Sequence, residues 1–173
     1  MTNANSQITQ LFLEFSHRKL FEHYWPRLRA CAEPLTEEQF WWRPNAASNS
    51  IGNLILHLNG NVRQWLVASF NHQEDARDRP AEFAAEGGLT PSQLLYRLSD
   101  TMDEAAQVLA RLAEADLIAP YDIQGYHVTG LEAVYQVVEH FGLHYGQIAW
   151  IAKSLTGNDL GFYRELSKTG RAD

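Results

Sequence analysis

Three of the seven histidines occupy positions that suit metal binding. His140 and His144 are four residues apart in a segment with helical periodicity, so they lie one turn apart on the same side of a helix. Both fall on or beside its apolar face, where a neutral imidazole needs partners for two nitrogens. Two such imidazoles can bind one ion, because zinc–nitrogen bonds are about 2.0–2.1 Å long. The spacing therefore predicts a metal site that faces the protein interior.

A third histidine, His57, lies at the border of the apolar face of another helical segment. Three imidazoles leave one position open on a tetrahedral metal, as in catalytic zinc sites, whereas structural zinc sites usually have four protein ligands. Asn61 is one turn further along and is a candidate for orienting a ligand or substrate. Phe141 follows His140 where a helical metalloprotease has glutamate, so that metalloprotease motif is absent. Spacing alone leaves open both a metal site and a set of hydrogen-bonded core histidines.

Other polar residues near these histidines have two interpretations. The segment 77–83 has the sequence Arg-Asp-Arg-Pro-Ala-Glu-Phe. In one interpretation it is a salt-bridged loop, and in the other its arginines Arg77 and Arg79 hold an anionic substrate near the metal. Gln147, three residues after His144, is a further candidate for orienting a ligand or substrate.

Four long helical patterns can position these residues, and no credible strand is present. The patterns span about residues 6–33, 50–70, 90–114 and 129–155. Pro26 predicts a kink in the first pattern. Capping-box spacings predict helix starts at Thr90 and Thr129 and a short helical turn at Thr36. The segments 71–89 and 115–128 are predicted to be loops, so the sequence favours an all-α four-helix bundle.

Length and composition indicate one globular domain over residues 1–173, with 45% apolar and 20% charged residues. The net charge of -7 and the lack of a Lys/Arg cluster argue against nucleic-acid binding. Cys31 is the single cysteine, which excludes an internal disulfide framework, and its apolar-periodic position predicts a core residue.

The sequence predicts neither secretion nor membrane insertion. Residues 1–10 contain no basic residue and no long apolar run, so no signal peptide is expected. No uncharged apolar stretch approaches the roughly 18 residues that a membrane-spanning helix needs. Because neither a signal peptide nor a membrane-spanning stretch is expected, a cytoplasmic location is the expectation.

Two segments resemble the DinB-like superfamily. The first runs from Phe40-Trp41-Trp42-Arg43-Pro44 through Ser48–Asn61, and the second is His140-Phe141-Gly142-Leu143-His144-Tyr145-Gly146-Gln147-Ile148. The sequence is most similar to a bacterial subgroup in which an Asp-Arg-x-x-Glu-Phe loop, here 78–83, recurs. The resemblance covers nearly the whole chain. It implies a four-helix bundle with up-down-down-up topology and a metal bound by His57, His140 and His144.

The resemblance also implies a set of functions. Homodimers are common in such proteins, and known activities include bacillithiol S-transferases and a mycothiol-dependent maleylpyruvate isomerase. The expected function is therefore a metal-dependent thiol S-transferase, in which a low-molecular-weight thiol bound to zinc, nickel, iron or manganese attacks a small electrophile as the thiolate. The alternatives are a hydrolase that uses metal-bound water and a non-catalytic dimeric stress protein with a structural metal.

Overall fold

The computed structural model describes residues 4–164, which are mostly helical. The helical elements are α1 (Ala4–His17), the π-helical segment π1 (Arg18–Tyr24), α2 (Trp25–Ala32), α3 (Glu37–Trp41), α4 (Ile51–Val62), the π-helical segment π2 (Arg63–Ala68), α5 (Ser69–Asn71), α6 (Arg79–Ala84), α7 (Pro91–Arg111), α8 (Glu114–Ile118) and α9 (Gly130–Thr156). Two strands, β1 (Pro120–Ile123) and β2 (Tyr126–Thr129), form an antiparallel pair. The predicted all-α class is confirmed. Across residues 4–164, every helix is too short or too polar to cross a membrane.

The helix starts follow the capping chemistry in the sequence. Thr36, Ser50, Thr90 and Thr129 each accept a hydrogen bond from the backbone N–H three residues later, and that third residue's side chain accepts one from the backbone N–H of the cap. Each such cap stabilises its helix by about 1 kcal/mol. Gly157, in the left-handed region with φ +67°, ends α9. The helix starts predicted at Thr36, Thr90 and Thr129 are therefore confirmed.

The prediction that the chain contains no strand was wrong. β1 and β2 form a short hairpin within the segment expected to be a loop. Its two-residue turn is Gln124-Gly125, and both residues have positive φ, at +56° and +84°. A turn of this kind matches the twist of the flanking strands, and glycine adopts it without steric cost.

The prediction of an uninterrupted loop over residues 71–89 was also wrong, because α6 lies inside it. Asp78 caps α6 by accepting a hydrogen bond from the Ala81 N–H, and Pro80 lies in the first turn. The fully buried Asn53 side chain on α4 donates to the Glu82 carbonyl at 3.0 Å and to the Ala85 carbonyl at 2.7 Å. These hydrogen bonds fix α6 against α4.

The helices α4 and α9 run antiparallel through the hydrophobic core. Leu54 near the start of α4 and Ile151 near the end of α9 line the same groove. Past the other end of α4, the Trp65 ring lies 6.2 Å from the ring of Tyr126, which precedes α9. The full up-down-down-up order of the bundle stays a prediction.

The segment π1 packs closely on α9. A Cβ at Gly142 would lie only 2.9 Å from the Tyr24 ring, so glycine allows π1 to approach α9. At Gly146, one turn on, an added Cβ would meet no atom within 4 Å. Close packing through glycine is therefore an internal contact at Gly142. The kink predicted at Pro26 is replaced by π1, whose wider turns lead into α2, where Pro26 is the second residue.

Cys31 is a core residue, as predicted, with an exposed fraction of 1%. Burial raises the pKa of its thiol to about 11, so only about a thousandth is thiolate at pH 8. We expect Cys31 in the folded protein to resist a chromogenic disulfide reagent at pH 8 and to react fully after unfolding in guanidinium. Labelling of the native protein at the rate of a free small thiol would contradict this. An inert Cys31 also means that added thiols can be studied without competition from it.

Candidate metal centre

The three predicted histidines meet at one point between α4 and α9. Nε2 of His57 lies 2.9 Å from Nε2 of His140, and His144 completes a group whose ligand atoms all lie within 4.8 Å of one another. The first distance is compatible with two bonds of about 2.0–2.1 Å to one ion. His57 is buried, and His140 and His144 are partly buried. The helical spacing therefore places the imidazoles together, as predicted.

The tautomer of His57 follows from its partners. Its Nδ1 lies 2.8 Å from Oε2 of Glu82 and 3.1 Å from Nη2 of Arg77. The guanidinium is only a donor and an ionised carboxylate is only an acceptor. Nδ1–H therefore donates to Glu82, and Nη2 of Arg77 donates to the same oxygen at 2.9 Å. This leaves the lone pair of His57 Nε2 directed toward the other histidines.

His144 is oriented by a neighbour on its own helix. Its Nδ1 lies 2.7 Å from Oε1 of Gln147, so Nδ1–H donates to this amide oxygen and Nε2 keeps its lone pair. Metal-binding histidines commonly donate their second ring N–H in this way. The structure thus places Gln147, predicted to orient a ligand or substrate, against a histidine of the cluster.

The electrostatics of the cluster keep two imidazoles neutral. Burial lowers the pKa of His140 to about 3, and the charges of His144, His57 and Arg77 add to the effect. Burial also lowers the pKa of His144, partly opposed by its hydrogen bond to Gln147. Metal binding requires unprotonated imidazoles. Two neutral imidazoles and a correctly oriented His57 therefore fit a divalent transition metal.

Sequence reasoning missed Glu82 as a residue of this centre. Its Oε1 accepts from Nε of Arg77 at 2.7 Å, and the exposed fractions of the Glu82 and Arg77 side chains are only 9% and 5%. Burial alone would raise the pKa of Glu82, but hydrogen bonds from His57 and Arg77 outweigh it and hold the pKa below its ordinary value. The signal that could have found Glu82 is the usual need of a metal-binding histidine for a carboxylate or carbonyl partner.

The two arginines of the charged segment occupy different environments. The Arg77 side chain is buried and paired with Glu82, which matches the salt-bridged interpretation of the segment. Arg79 is exposed, and its guanidinium lies 5.0 Å from the centre of the Phe83 ring. Phe83 packs 4.7 Å from the His57 ring, and the Arg79 charge contributes to the lowered pKa of His140. Arg79 is thus the more accessible of the two cations beside the cluster.

Asn61 lies on α4, one turn after His57. Its side chain is buried, and its Oδ1 has no hydrogen-bond partner in the described chain. Oε1 of Gln136 on α9 is likewise unpaired within residues 4–164. Asn61 follows His57 by one turn, and Gln136 precedes His140 by one turn. Because α4 and α9 are antiparallel, both residues lie at the same end of the cluster. Two amide oxygens there are available to accept hydrogen bonds.

Comparison with known proteins identifies the family. A model of the DinB superfamily matches residues 20–148, which include all three histidines. A search of curated proteins gave no match. Among solved structures, the chain is similar to a conserved protein from Enterococcus faecalis, with 15% identity, a TM-score of 0.64 and coverage of 91% of this chain and 100% of that chain. At that identity the likeness shows the fold alone. Because the family model matches most of the chain, this protein belongs to the DinB superfamily.

Proposed function

We propose that this protein is a metal-dependent thiol S-transferase. The observation that carries the proposal is a three-histidine cluster without a fourth His, Cys, Asp or Glu ligand among the described residues. When bound there, a divalent metal would supply an open position and the charge that converts a thiol into a thiolate at neutral pH. Three neutral imidazoles would leave that charge uncompensated, which favours an anionic ligand such as a thiolate.

The position of Glu82 favours transfer over hydrolysis. A hydrolase that activates water needs a general base close to the metal. Both oxygens of Glu82 already accept hydrogen bonds, from His57 and Arg77, and the carboxylate is buried. A thiol needs no such base once its pKa is lowered. In the proposed reaction its sulfur forms a bond to an electrophilic carbon, the leaving group departs with its electron pair, and the thiol proton passes to solvent.

Arg79 and Asn61 are proposed to bind the substrates. Arg79 is exposed beside the cluster and carries a charge suited to an anionic electrophile. The unpaired Oδ1 of Asn61 can accept a hydrogen bond from a donor group of the thiol or the electrophile. Gln147 is proposed to act through His144, which it orients. The substrate class is thus a small thiol together with a small anionic electrophile.

The proposal is tested first by metal content. The purified protein is stripped, reconstituted separately with zinc, nickel, manganese and iron, and analysed by mass spectrometry. Bacillithiol, mycothiol, glutathione and cysteine are then added to a cobalt-substituted sample. We expect a sulfur-to-cobalt charge-transfer band with at least one thiol. Only trace metal after every reconstitution would overturn the metal centre. Absence of the band with every thiol, together with unfolding on chelation, would favour a structural metal.

We also propose that the protein forms a homodimer through an exposed apolar strip on α9. Leu131, Tyr135, Leu143 and Trp150 recur close to helical spacing, and Trp150 has an exposed fraction of 64%. Exposed apolar strips of this kind mark interaction surfaces. We expect the double substitution of Tyr135 and Trp150 by glutamate to halve the mass found by light scattering. Tyr96→Glu, an exposed site on α7, is the control and should leave the mass unchanged. A wild-type monomer would contradict the proposal.

A further inference from the structure

We propose that Glu82 is the positioning residue of the metal centre and that Arg77 holds it in place. The inference rests on the proposed metal binding by the three histidines. It concerns how this chain prepares His57 to bind a metal. In this interpretation Arg77 belongs to the support of the centre, and Arg79 is the arginine left to bind an anionic substrate.

The geometry of His57 links the two roles of its ring. Nδ1–H points to Glu82 Oε2 at 2.8 Å, and Nε2 lies 2.9 Å from Nε2 of His140. Protonation of Nδ1 is what leaves the Nε2 lone pair available, because a neutral imidazole carries one ring proton. Glu82 therefore selects the tautomer that can bind a metal and restricts rotation of the ring. It does so from α6 without contributing a ligand atom of its own.

The contacts of Arg77 fix the carboxylate in turn. Its Nε and Nη2 donate to the two oxygens of Glu82 at 2.7 and 2.9 Å, which is the bidentate geometry of a strong ion pair. Its Nη1 donates to Oε1 of Gln64 at 2.9 Å, and Gln64 in turn donates to Asp75. The guanidinium is thus held from two sides. A continuous set of hydrogen bonds runs from π2 through Arg77 and Glu82 to the metal-binding ring.

A glycine in the last turn of α4, which continues into π2, provides the space for this pair. A Cβ at Gly60 would overlap the Glu82 carboxylate and would lie 2.7 Å from Nε of Arg77. Glycine inside a helix costs roughly 1 kcal/mol relative to alanine. The close approach of the ion pair to the backbone of α4 gives this glycine a structural reason. Asn53, one turn before His57, anchors the α6 backbone through two carbonyls. Two independent features of α4, the space at Gly60 and the hydrogen bonds from Asn53, therefore hold Glu82 in position.

The test compares variants that disturb Glu82 with matched variants that do not. Glu82→Gln removes the charge, and Gly60→Ala displaces the carboxylate without removing any polar group. Gly146→Ala adds the same methyl group on α9 in open space, and Glu86→Gln removes an exposed carboxylate. Zinc affinity is measured by competition with a chromophoric chelator. We expect Glu82→Gln and Gly60→Ala to bind zinc about 10–100-fold more weakly. Both controls should stay within about twofold of the wild type.

Two spectroscopic readouts separate positioning from general destabilisation. Long-range ¹⁵N–¹H NMR spectra of the metal-free protein should show His57 protonated on Nδ1 in the wild type and a mixture of tautomers in Gly60→Ala. The visible spectrum of the cobalt form should change in Glu82→Gln and Gly60→Ala but not in the controls. If Glu82→Gln fails to fold, Gly60→Ala carries the test.

The outcomes distinguish this inference from the proposed function. In one outcome the wild type binds zinc, and Gly60→Ala and any folded Glu82→Gln have the same zinc affinity and cobalt spectrum as the wild type. This outcome would overturn the role of Glu82 and leave the metal centre intact. A wild type that binds no zinc would overturn the metal centre and, with it, this role.

Discussion

Replacing His144 with alanine is expected to weaken zinc binding by roughly 10²–10³-fold. Zinc sites with four ligands have apparent binding free energies of about 10–16 kcal/mol, or about 2.5–4 kcal/mol for each ligand, and each 1.4 kcal/mol is tenfold in affinity. His144 is partly buried and its partner Gln147 is exposed, so the loss of the ring leaves little unsatisfied polar surface. The fold should therefore persist, and the effect should be specific to the metal.

Chelator competition and metal analysis after gel filtration measure the His144 effect. His127→Ala is the control, because His127 is also a histidine but lies exposed on β2, outside the cluster. It should retain the zinc content of the wild type. Retention of full zinc affinity by His144→Ala, in a folded protein, would mean that the three histidines do not form the metal centre.

Replacing Phe141 with alanine is expected to lower the free energy of unfolding by about 3–5 kcal/mol. Phe141 has no exposed surface, and its ring stacks on Tyr24 with centroids 6.4 Å apart. The loss combines the removed apolar contact with a cavity between α9 and π1 that rigid neighbours fill only partly. For a domain of this size the melting temperature should fall by roughly 6–20 °C.

Urea unfolding of the metal-free protein, followed by far-UV circular dichroism, measures the Phe141 effect without a contribution from bound metal. Tyr96→Ala removes an exposed aromatic ring from α7 and should change stability by no more than about 0.5 kcal/mol. Equal stability of Phe141→Ala and the wild type would contradict the packing of π1 on α9.

The sequence was most informative where the determinants of structure are local. Helical periodicity placed His140 and His144 on one side of α9. Capping boxes, each formed by two side chains three residues apart such as those of Thr90 and Gln93, marked the helix starts. These features depend on neighbours in the same turn. They can be read without knowledge of the tertiary fold.

Features that depend on distant contacts could not be read from the sequence. The helix α6 has only six residues, too few for a periodic signal, and it is held by Asn53 from α4. The sequence left open whether Arg77 forms a salt bridge or binds an anionic substrate, because only the folded chain shows its burial against Glu82. The turn at Gln124 lacks the usual Asn-Gly or Asp-Gly signal, so the hairpin was missed.

The anchoring of α6 by Asn53 has a consequence for the order in which the centre assembles during folding. Glu82 and His57 are 25 residues apart, whereas His57 and His140 are separated by 83. The entropic free-energy cost of closing the shorter loop is lower by about 1 kcal/mol at room temperature. Contacts between α4 and α6 are therefore favoured to form first, with His57 already oriented when α9 docks. Pulsed hydrogen exchange should show early protection of the Asn53 and Ala85 amides relative to those around His140.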